Sequence, residues 1–498
     1  MGTAMHPAYN LITITGLSHE GAGVGHLPDG RVIFVPGALP GEQVGAEVVT
    51  TKKNYALGRL VQVVKASPDR VLPPCPETAT CGGCDLQHLD YRAQLHWKRR
   101  LVVDALLRLG HLQEVRVLPV LGMTNPWGYR NKVRLHVAKN RLGFYRPGSH
   151  EVAPFSCCPL LSEGLLAAAR EIARLLPGLT SGLQHVTLRQ GRATGELLVA
   201  LENRVGWTGG EELAEKLAGR LPQLVGVVSL AAGGRGRNEA QNFTNKPFDV
   251  SITYRKTKRP EAGGPGHQER VAPGRRGWTP AAASKFSGEG QPEQGGGPQQ
   301  SLVYGRDYLE ERLGDLRFHI SAATFFQVNS AQAEVLYDQA ATRARLQGGE
   351  EVLDAYCGNG AIALWLSRRA GRVTGVEVVP EAIIDARRNA VVNRITNTRF
   401  RAGAAEAVMP RLAGAGYRPE VVILDPPRAG CHQRVLAAVA AMAPRRVIYV
   451  SCNPATLARD LAYLQEAGFT LGPVQPVDMF PHTHHVECVV GLEKKPAY

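Results

Sequence analysis

No apolar run reaches the length that a membrane-spanning helix needs, about 18 residues, anywhere in the 498 positions of this chain. The amino end also lacks the charged-then-apolar layout of a secretory leader. Both absences argue against a membrane role and lead to the expectation of a soluble, cytoplasmic protein. Acidic residues are in deficit, with 44 Asp and Glu against 58 Lys and Arg, so the net charge is +14. Such a balance favours a polyanionic partner. The nine cysteines of an intracellular chain serve thiolate chemistry or metal ligation rather than disulfides. Nothing in the sequence calls for an obligate protein partner. The length exceeds a single hydrophobic core and implies about three domains.

What is present begins with strand-like alternation at Leu11–Ile14, Arg31–Val35, Glu47–Val49 and Arg59–Val64. Glycine and proline punctuation separates these runs, the pattern of a small β-barrel. Lys52, Lys53, Tyr55 and Arg59 put cations around an aromatic ring, which suits nucleic acid and equally suits an ordinary solvated hairpin. The order of segments over residues 1–66 resembles the TRAM domain, an OB-like RNA-binding barrel. Next come Cys75, Cys81 and Cys84 within ten residues, separated by turn formers that let thiolates converge on one soft metal centre. A fourth thiolate is available only at Cys157-Cys158-Pro159 before the carboxyl-terminal domain, and spacing does not separate zinc from iron–sulfur. The C-x5-C-x2-C pattern with a distant Cys-Pro resembles the [4Fe–4S] motif of bacterial RNA uracil-5-methyltransferases. That resemblance implies Cys75, Cys81, Cys84 and Cys158 as ligands.

Tyr91–Leu109 has helical spacing and carries Lys98, Arg99, Arg100 and Arg108 on a face open to solvent or RNA. Residues 129–137 and 142–146 read as a β pair with arginine and aromatic residues interleaved, suited to stacking and phosphate contact. Further strands at 184–188 and 195–201 and a helix at 165–176 complete a smaller α+β domain over residues 67–315. Within it, about 256–300 is rich in Gly, Pro, Gln, Arg and Glu and reads as a disordered insertion.

From residue 316 to 498 the pattern is strand, glycine turn, helix. Glu351–Tyr356 runs into Gly358-Asn359-Gly360, and the next strand ends at Glu377, where an acid can hold ribose hydroxyls. A full Gly-x-Gly-x-x-Gly is missing, and a later strand ends in Asp425-Pro426-Pro427-Arg428. These strand ends together resemble an AdoMet-dependent methyltransferase rather than a dehydrogenase. An apolar strand then ends at Ser451-Cys452-Asn453-Pro454, with Asp478–Glu487 beyond it, rich in histidine. Three histidines and a carboxylate could form a metal site or a polar loop. A third reading is catalytic: a thiolate added at carbon 6 of uracil makes carbon 5 nucleophilic, and a base then removes the carbon-5 proton.

The strings Ser-Cys-Asn-Pro-Ala-Thr-Leu-Ala-Arg-Asp and Phe-Pro-x-Thr-x-His-x-Glu resemble those of the TRAM-bearing, iron–sulfur RNA uracil-5-methyltransferases. The resemblance covers the chain apart from the insertion. It implies Cys452 as nucleophile, Glu487 as base, and Gln327, Tyr356, Glu377 and Asp425 as AdoMet contacts. Cys357 and Cys431 match no catalytic role and read as packing residues. The expected fold is α/β, a Rossmann-like class I methyltransferase domain behind the barrel and the α+β domain. The expected substrate is 23S rRNA. Rivals are tRNA as substrate, methylation of an exocyclic amine (which would leave Cys452 idle), or a non-enzymatic RNA-binding assembly factor.

Overall fold

The computed structural model describes residues 9–495 except 147–148, 155, 178–181, 205–206 and 232–298. The insertion expected over about 256–300 lies outside the described residues up to 298; Gln299 and Gln300 already belong to a strand.

The amino-terminal strands are β1 (Asn10–Thr13), β2 (Gly16–Leu17), β3 (Gly23–His26), β4 (Val32–Val35), β5 (Gln43–Thr51) and β6 (Tyr55–Lys65). They form one sheet in the order β1-β5-β6-β4-β3-β2. The two outermost strands, β1 and β2, are consecutive in the chain, and in the short link between them Thr15 N–H donates to Val24 O of β3 at 2.8 Å. The sheet therefore curls shut around Ile12, Ile14, Ile33, Val35, Val44 and Ala56, which removes exposed edges.

Helix α1 (Tyr91–Arg108) is capped by Asp90, whose carboxylate accepts from Arg92 N–H at 2.9 Å. Its apolar side, Val102 and Leu106, joins a core built mostly from residues beyond 350. The basic face expected on this helix is only partly open. Lys98 is fully buried, and its Nζ donates to Asp478 Oδ1 at 2.6 Å and to Phe480 O at 3.0 Å. Helical spacing put Lys98 beside exposed arginines, but a carboxylate distant in sequence claims it.

The central domain contains β7 (Lys132–Ala138), β8 (Arg141–Tyr145), β9 (Val152–Pro154), α2 (Glu163–Leu175), β10 (Leu183–Gln190), β11 (Leu197–Asn203), α3 (Gly210–Ala218), β12 (Leu224–Ala231) and β13 (Gln299–Gly305). Its sheet runs β13-β12-β11-β10-β7-β8-β9, with α2 and α3 packed on an apolar face that includes Leu135, Val186, Leu188 and Leu201. A hairpin follows, β14 (Tyr308–Leu313) and β15 (Leu316–Ser321). Residue 315 lies in its turn, and Leu309, Leu313, Phe318 and Ile320 bury into the core of the carboxyl-terminal domain.

That last domain alternates α4 (Ser330–Ala344), β16 (Glu351–Ala355), α5 (Ala361–Ser367), β17 (Arg372–Glu377), α6 (Pro380–Val392), β18 (Thr398–Ala402), α7 (Ala405–Gly414), β19 (Val421–Leu424), α8 (Gln433–Met442), β20 (Arg446–Ser451) and α9 (Pro454–Glu466). The chain ends with β21 (Phe469–Leu471), β22 (Gln475–Val477) and β23 (Glu487–Lys494). The sheet order is β18-β17-β16-β19-β20-β23-β21, parallel from β18 to β20 and antiparallel at β23. Runs such as Val421–Leu424 and Val447–Val450 are wholly buried, as a sheet covered on both faces requires. The order reverses between β16 and β19, and such a switch point at the carboxyl ends of the strands is where open α/β sheets bind ligands. This is the expected Rossmann-like α/β methyltransferase fold behind a TRAM-type barrel.

Candidate active site and thiol pocket

The carboxyl ends of β16, β17, β19 and β20 carry, in turn, Tyr356, Glu377, Asp425 and Cys452. Phe325, Phe326, Gln327, Asp354, Tyr356, Gly358, Asn359 and Asp425 line a cleft of about 360 Å³ at the switch point. Gly358 (φ +54°) and Gly360 (φ +82°) take the left-handed turn between β16 and α5. Glu377 locks that turn: its Oε2 accepts from Gly358 N–H at 3.0 Å and its Oε1 from Val379 N–H at 2.9 Å. Gly375 is needed for closeness, since a Cβ there would meet Phe400 at 2.6 Å and the Cys357 sulfur at 2.8 Å. Tyr356 has φ +66°; its ring faces the cleft while its hydroxyl meets the Cys431 thiol and the His432 N–H. Cys357 and Cys431 are buried, in keeping with a packing role.

Two further cleft residues, Asp354 and Asn359, were not singled out by sequence reasoning. The buried Asp354 carboxyl has no side-chain hydrogen-bond partner and meets only the Ala363 backbone N–H, and the amide nitrogen of Asn359 has no partner within the protein. Orphaned polar atoms at the wall of a cleft are what a polar ligand satisfies. The residues therefore fit a nucleoside cofactor with an amino-acid tail. Strand–Asp–glycine was the signal available for Asp354. Phe325 is the other omission, an aromatic ring 55% exposed at the mouth of the cleft.

Cys452 follows the last residue of β20, and Glu487 opens β23. These strands pair with Ser451 opposite Cys488, so continuing the antiparallel register by one residue sets Cys452 across from Glu487. Facing residues in such a pair have Cα atoms about 4.5–5.5 Å apart. Asn453 caps α9, with Pro454 at its first turn, so the partly exposed Cys452 thiol precedes a helix amino terminus. Burial, then the neighbouring Glu487 and Asp425 carboxylates, raise the thiol pKa, while Arg428 opposes them. Burial and Asp425 push the Glu487 carboxyl up to about 8, and burial and Glu377 push Asp425 up to about 7. A thiol, a carboxyl with a raised pKa and a cation thus share one end of the sheet.

The three histidines of 482–485, one reading of which is a metal site, turn to separate partners. His482 stacks on Trp127 at 3.7 Å, His484 meets Asp85 at 2.7 Å, and His485 Nε2 accepts from Arg428 at 3.0 Å. Among the described residues no group of three or more His, Cys, Asp or Glu side chains is placed to hold a metal ion.

Cys75, Cys81, Cys84, Cys157 and Cys158 do line one pocket, of about 610 Å³. Cys157 and Cys158 are both half-buried; Cys158 senses Cys75 and its charge is felt at Cys81 and Cys84, while Cys157 lies beside Cys75. The half-buried Arg130 guanidinium lies in the field of Cys84 and Cys158, and its Nε has no partner.

Comparison with known proteins agrees with this geometry. Residues 295–495 match the tRNA (uracil-5-)-methyltransferase family, and residues 8–61 match the TRAM domain. An uncharacterized RNA methyltransferase of Halalkalibacterium halodurans is 40% identical over 501 residues, covering 97% of this chain and 96% of that protein. A similar one from Bacillus cereus is 38% identical over 497 residues, covering 97% and 96%. Among solved structures, the tRNA (uracil-54, C5)-methyltransferase of Pyrococcus abyssi, in complex with S-adenosyl-L-homocysteine, is 25% identical with a TM-score of 0.67. The likeness covers 97% of this chain and 100% of that one. Whole-length identity, a matching catalytic domain and a matching barrel together make this chain a TRAM-bearing, AdoMet-dependent RNA methyltransferase of the tRNA (uracil-5-)-methyltransferase family.

Proposed function

We propose that the protein methylates carbon 5 of a uridine in 23S rRNA through a covalent bond between Cys452 and carbon 6. The observation that carries this is the register of β20 and β23, which sets a thiol against a buried carboxyl at the strand ends beside the cofactor cleft. In this reading Gln327, Tyr356, Glu377 and Asp425, together with Asp354, hold AdoMet. Bound AdoMet supplies an electrophilic methyl group. The Cys452 thiolate adds to carbon 6, and the electron pair of the carbon 5–carbon 6 double bond moves onto carbon 5 and oxygen 4. Carbon 5 takes the methyl group as the methyl–sulfur bond breaks. Glu487 removes the carbon-5 proton, the double bond re-forms and the Cys452 sulfur leaves. Arg428, which lowers the pKa of Cys452 and Glu487 alike, favours their ionised forms. The target nucleotide must leave its stack to reach a cleft at the end of a sheet.

Cys75, Cys81, Cys84 and Cys158 are the proposed ligands of a [4Fe–4S] cluster. The cluster, when bound, cross-links the 75–84 loop to the central domain and supplies negative charge to Arg130. The rRNA assignment rests on the joint presence of barrel and thiol pocket, by which the chain resembles large-subunit enzymes. A second reading, tRNA, is favoured by the whole-length likeness to the Pyrococcus enzyme. Cys452→Ala tests the chemistry: it abolishes methyl transfer to uridine-bearing RNA while AdoMet still binds. Full methylation by that variant removes the covalent mechanism.

A further inference from the structure

Segments that the sequence keeps far apart meet between the thiol pocket and the catalytic pair. Asp85 directly follows Cys84, and its Oδ2 lies 2.7 Å from His484 Nδ1 and accepts from the His484 N–H at 3.4 Å. Backbone N–H groups of Asp85 and Leu86 both donate to His482 O, at 3.2 and 3.0 Å. From His484 the chain of contacts continues inward. Its ring centroid is 4.0 Å from that of His485, whose Nε2 is 3.0 Å from Arg428 Nη2. Arginine only donates, so Nε2 of His485 is the acceptor and this ring is neutral with its proton on Nδ1. Arg428 in turn fixes the nucleophile's turn through its carbonyl, which accepts from Asn453 Nδ2 at 3.0 Å and Thr456 Oγ1 at 3.3 Å.

The 478–486 segment has no sheet ladder of its own, and His482 holds φ +67°. A left-handed non-glycine residue persists only where surrounding contacts over-determine it. Several of those contacts come from the cysteine-bearing side: Gln94 Oε1 accepts from His482 N–H at 3.0 Å, and Tyr129 OH donates to Pro481 O at 3.1 Å. His484 and His485 stand next to Glu487 in the same segment. A shift of Asp85 therefore moves the residues that aim both Arg428 and Glu487.

We propose that Asp85 and His484 are positioning residues for methyl transfer: their pair fixes His485, and His485 holds Arg428 against Cys452 and Glu487. The thiol pocket and the catalytic pair are thereby set by one continuous connection. This rests on the proposed roles of Cys452 and Glu487. Neither Asp85 nor His484 lines the cofactor cleft, and their proposed contribution is to geometry.

The test uses the full-length, cluster-loaded enzyme with Asp85→Asn, His484→Gln and the double variant, and Asp85→Glu as the conservative change. Hydrogen-bond partners that orient the groups in direct contact with a reacting centre are worth about 10–100-fold. Each single variant lowers kcat by a factor in that range, with KM for RNA and for AdoMet within about twofold of wild type. The double variant is no slower than the worse single, because both remove one connection, and Asp85→Glu restores part of the loss. Covalent trapping on RNA containing 5-fluorouridine slows in step with kcat, while the visible absorption of the cluster is retained. Wild-type kcat in both single variants, additive losses, or a loss confined to KM overturns this inference alone. Should one variant fail to fold, the other, on the opposite side of the pair, decides the question by the same readouts. A wild-type enzyme that forms no 5-methyluridine overturns the proposed function together with this inference.

Discussion

Replacing Lys98 with Met separates burial from charge at the base of the 478–486 segment. Lys98 and Asp478 are both wholly buried, with Nζ 2.6 Å from Oδ1, and Asp478 also accepts from Tyr91 OH at 2.8 Å. The substitution keeps most of the volume but leaves the carboxylate with one neutral donor. Breaking a buried pair from one side costs about 3–5 kcal/mol. At 1.36 kcal/mol per tenfold, local opening of the 478–486 segment rises by about two to four powers of ten. Hydrogen exchange read peptide by peptide measures this directly, and it avoids assuming that a multidomain chain unfolds in one step. Adding Asp478→Asn removes the stranded charge while Tyr91 can still donate, so the double variant recovers much of the protection. A single variant that exchanges like wild type, or a double variant that is worse than the single, refutes the dry, paired geometry.

Other perturbations address the chemistry. Glu487→Gln stalls the reaction after methyl transfer, and a protein–RNA adduct that survives denaturing electrophoresis is the expected product; normal turnover excludes Glu487 as the base. With the Glu487 carboxyl pushed up to about 8, only about a tenth is ionised at pH 7. The Cys452 thiol pKa is raised too, so kcat/KM climbs from pH 6 to above 8, and a flat profile contradicts the assignment. The same groups set a stability trend. Asp425 and Glu487 hold protons in the folded state that they would release when unfolded, so the free protein loses thermal stability as pH rises from about 5 through about 8. Gly375→Ala forces a Cβ against Phe400 and Cys357, lowering the melting temperature and weakening AdoMet binding, as calorimetry would register.

The carboxyl-terminal fold was legible because each parallel strand is a buried apolar run that ends on a residue of distinct chemistry: Tyr356, Glu377, Asp425, Cys452. Strand ends in one sheet share one edge, so those residues could be gathered without knowing the strand order. The opposition of Cys452 and Glu487 was not readable from spacing, since it depends on β23 entering antiparallel in one register. Lys98 shows another limit. Its helical neighbours Arg99 and Arg100 are exposed, and only Asp478, 380 positions away, makes Lys98 a core residue. The histidines of 482–485 read as one candidate metal cluster in sequence, yet His482 stacks on Trp127 while the adjoining His484 and His485 turn to Asp85 and Arg428. Asp354 has the sequence context of an ordinary strand residue, and only its buried place among the residues that line the cleft marks it as part of the wall.

The most direct measurement is methyl transfer from labelled AdoMet to unmodified 23S rRNA and unmodified tRNA in parallel, with the product nucleoside identified by mass spectrometry. Covalent catalysis by Cys452 on 23S rRNA predicts 5-methyluridine in that RNA from the wild-type enzyme and none from Cys452→Ala. The same nucleoside in tRNA alone keeps the chemistry and replaces the substrate. A methylated guanine or adenine, formed equally by Cys452→Ala, contradicts the thiol mechanism outright.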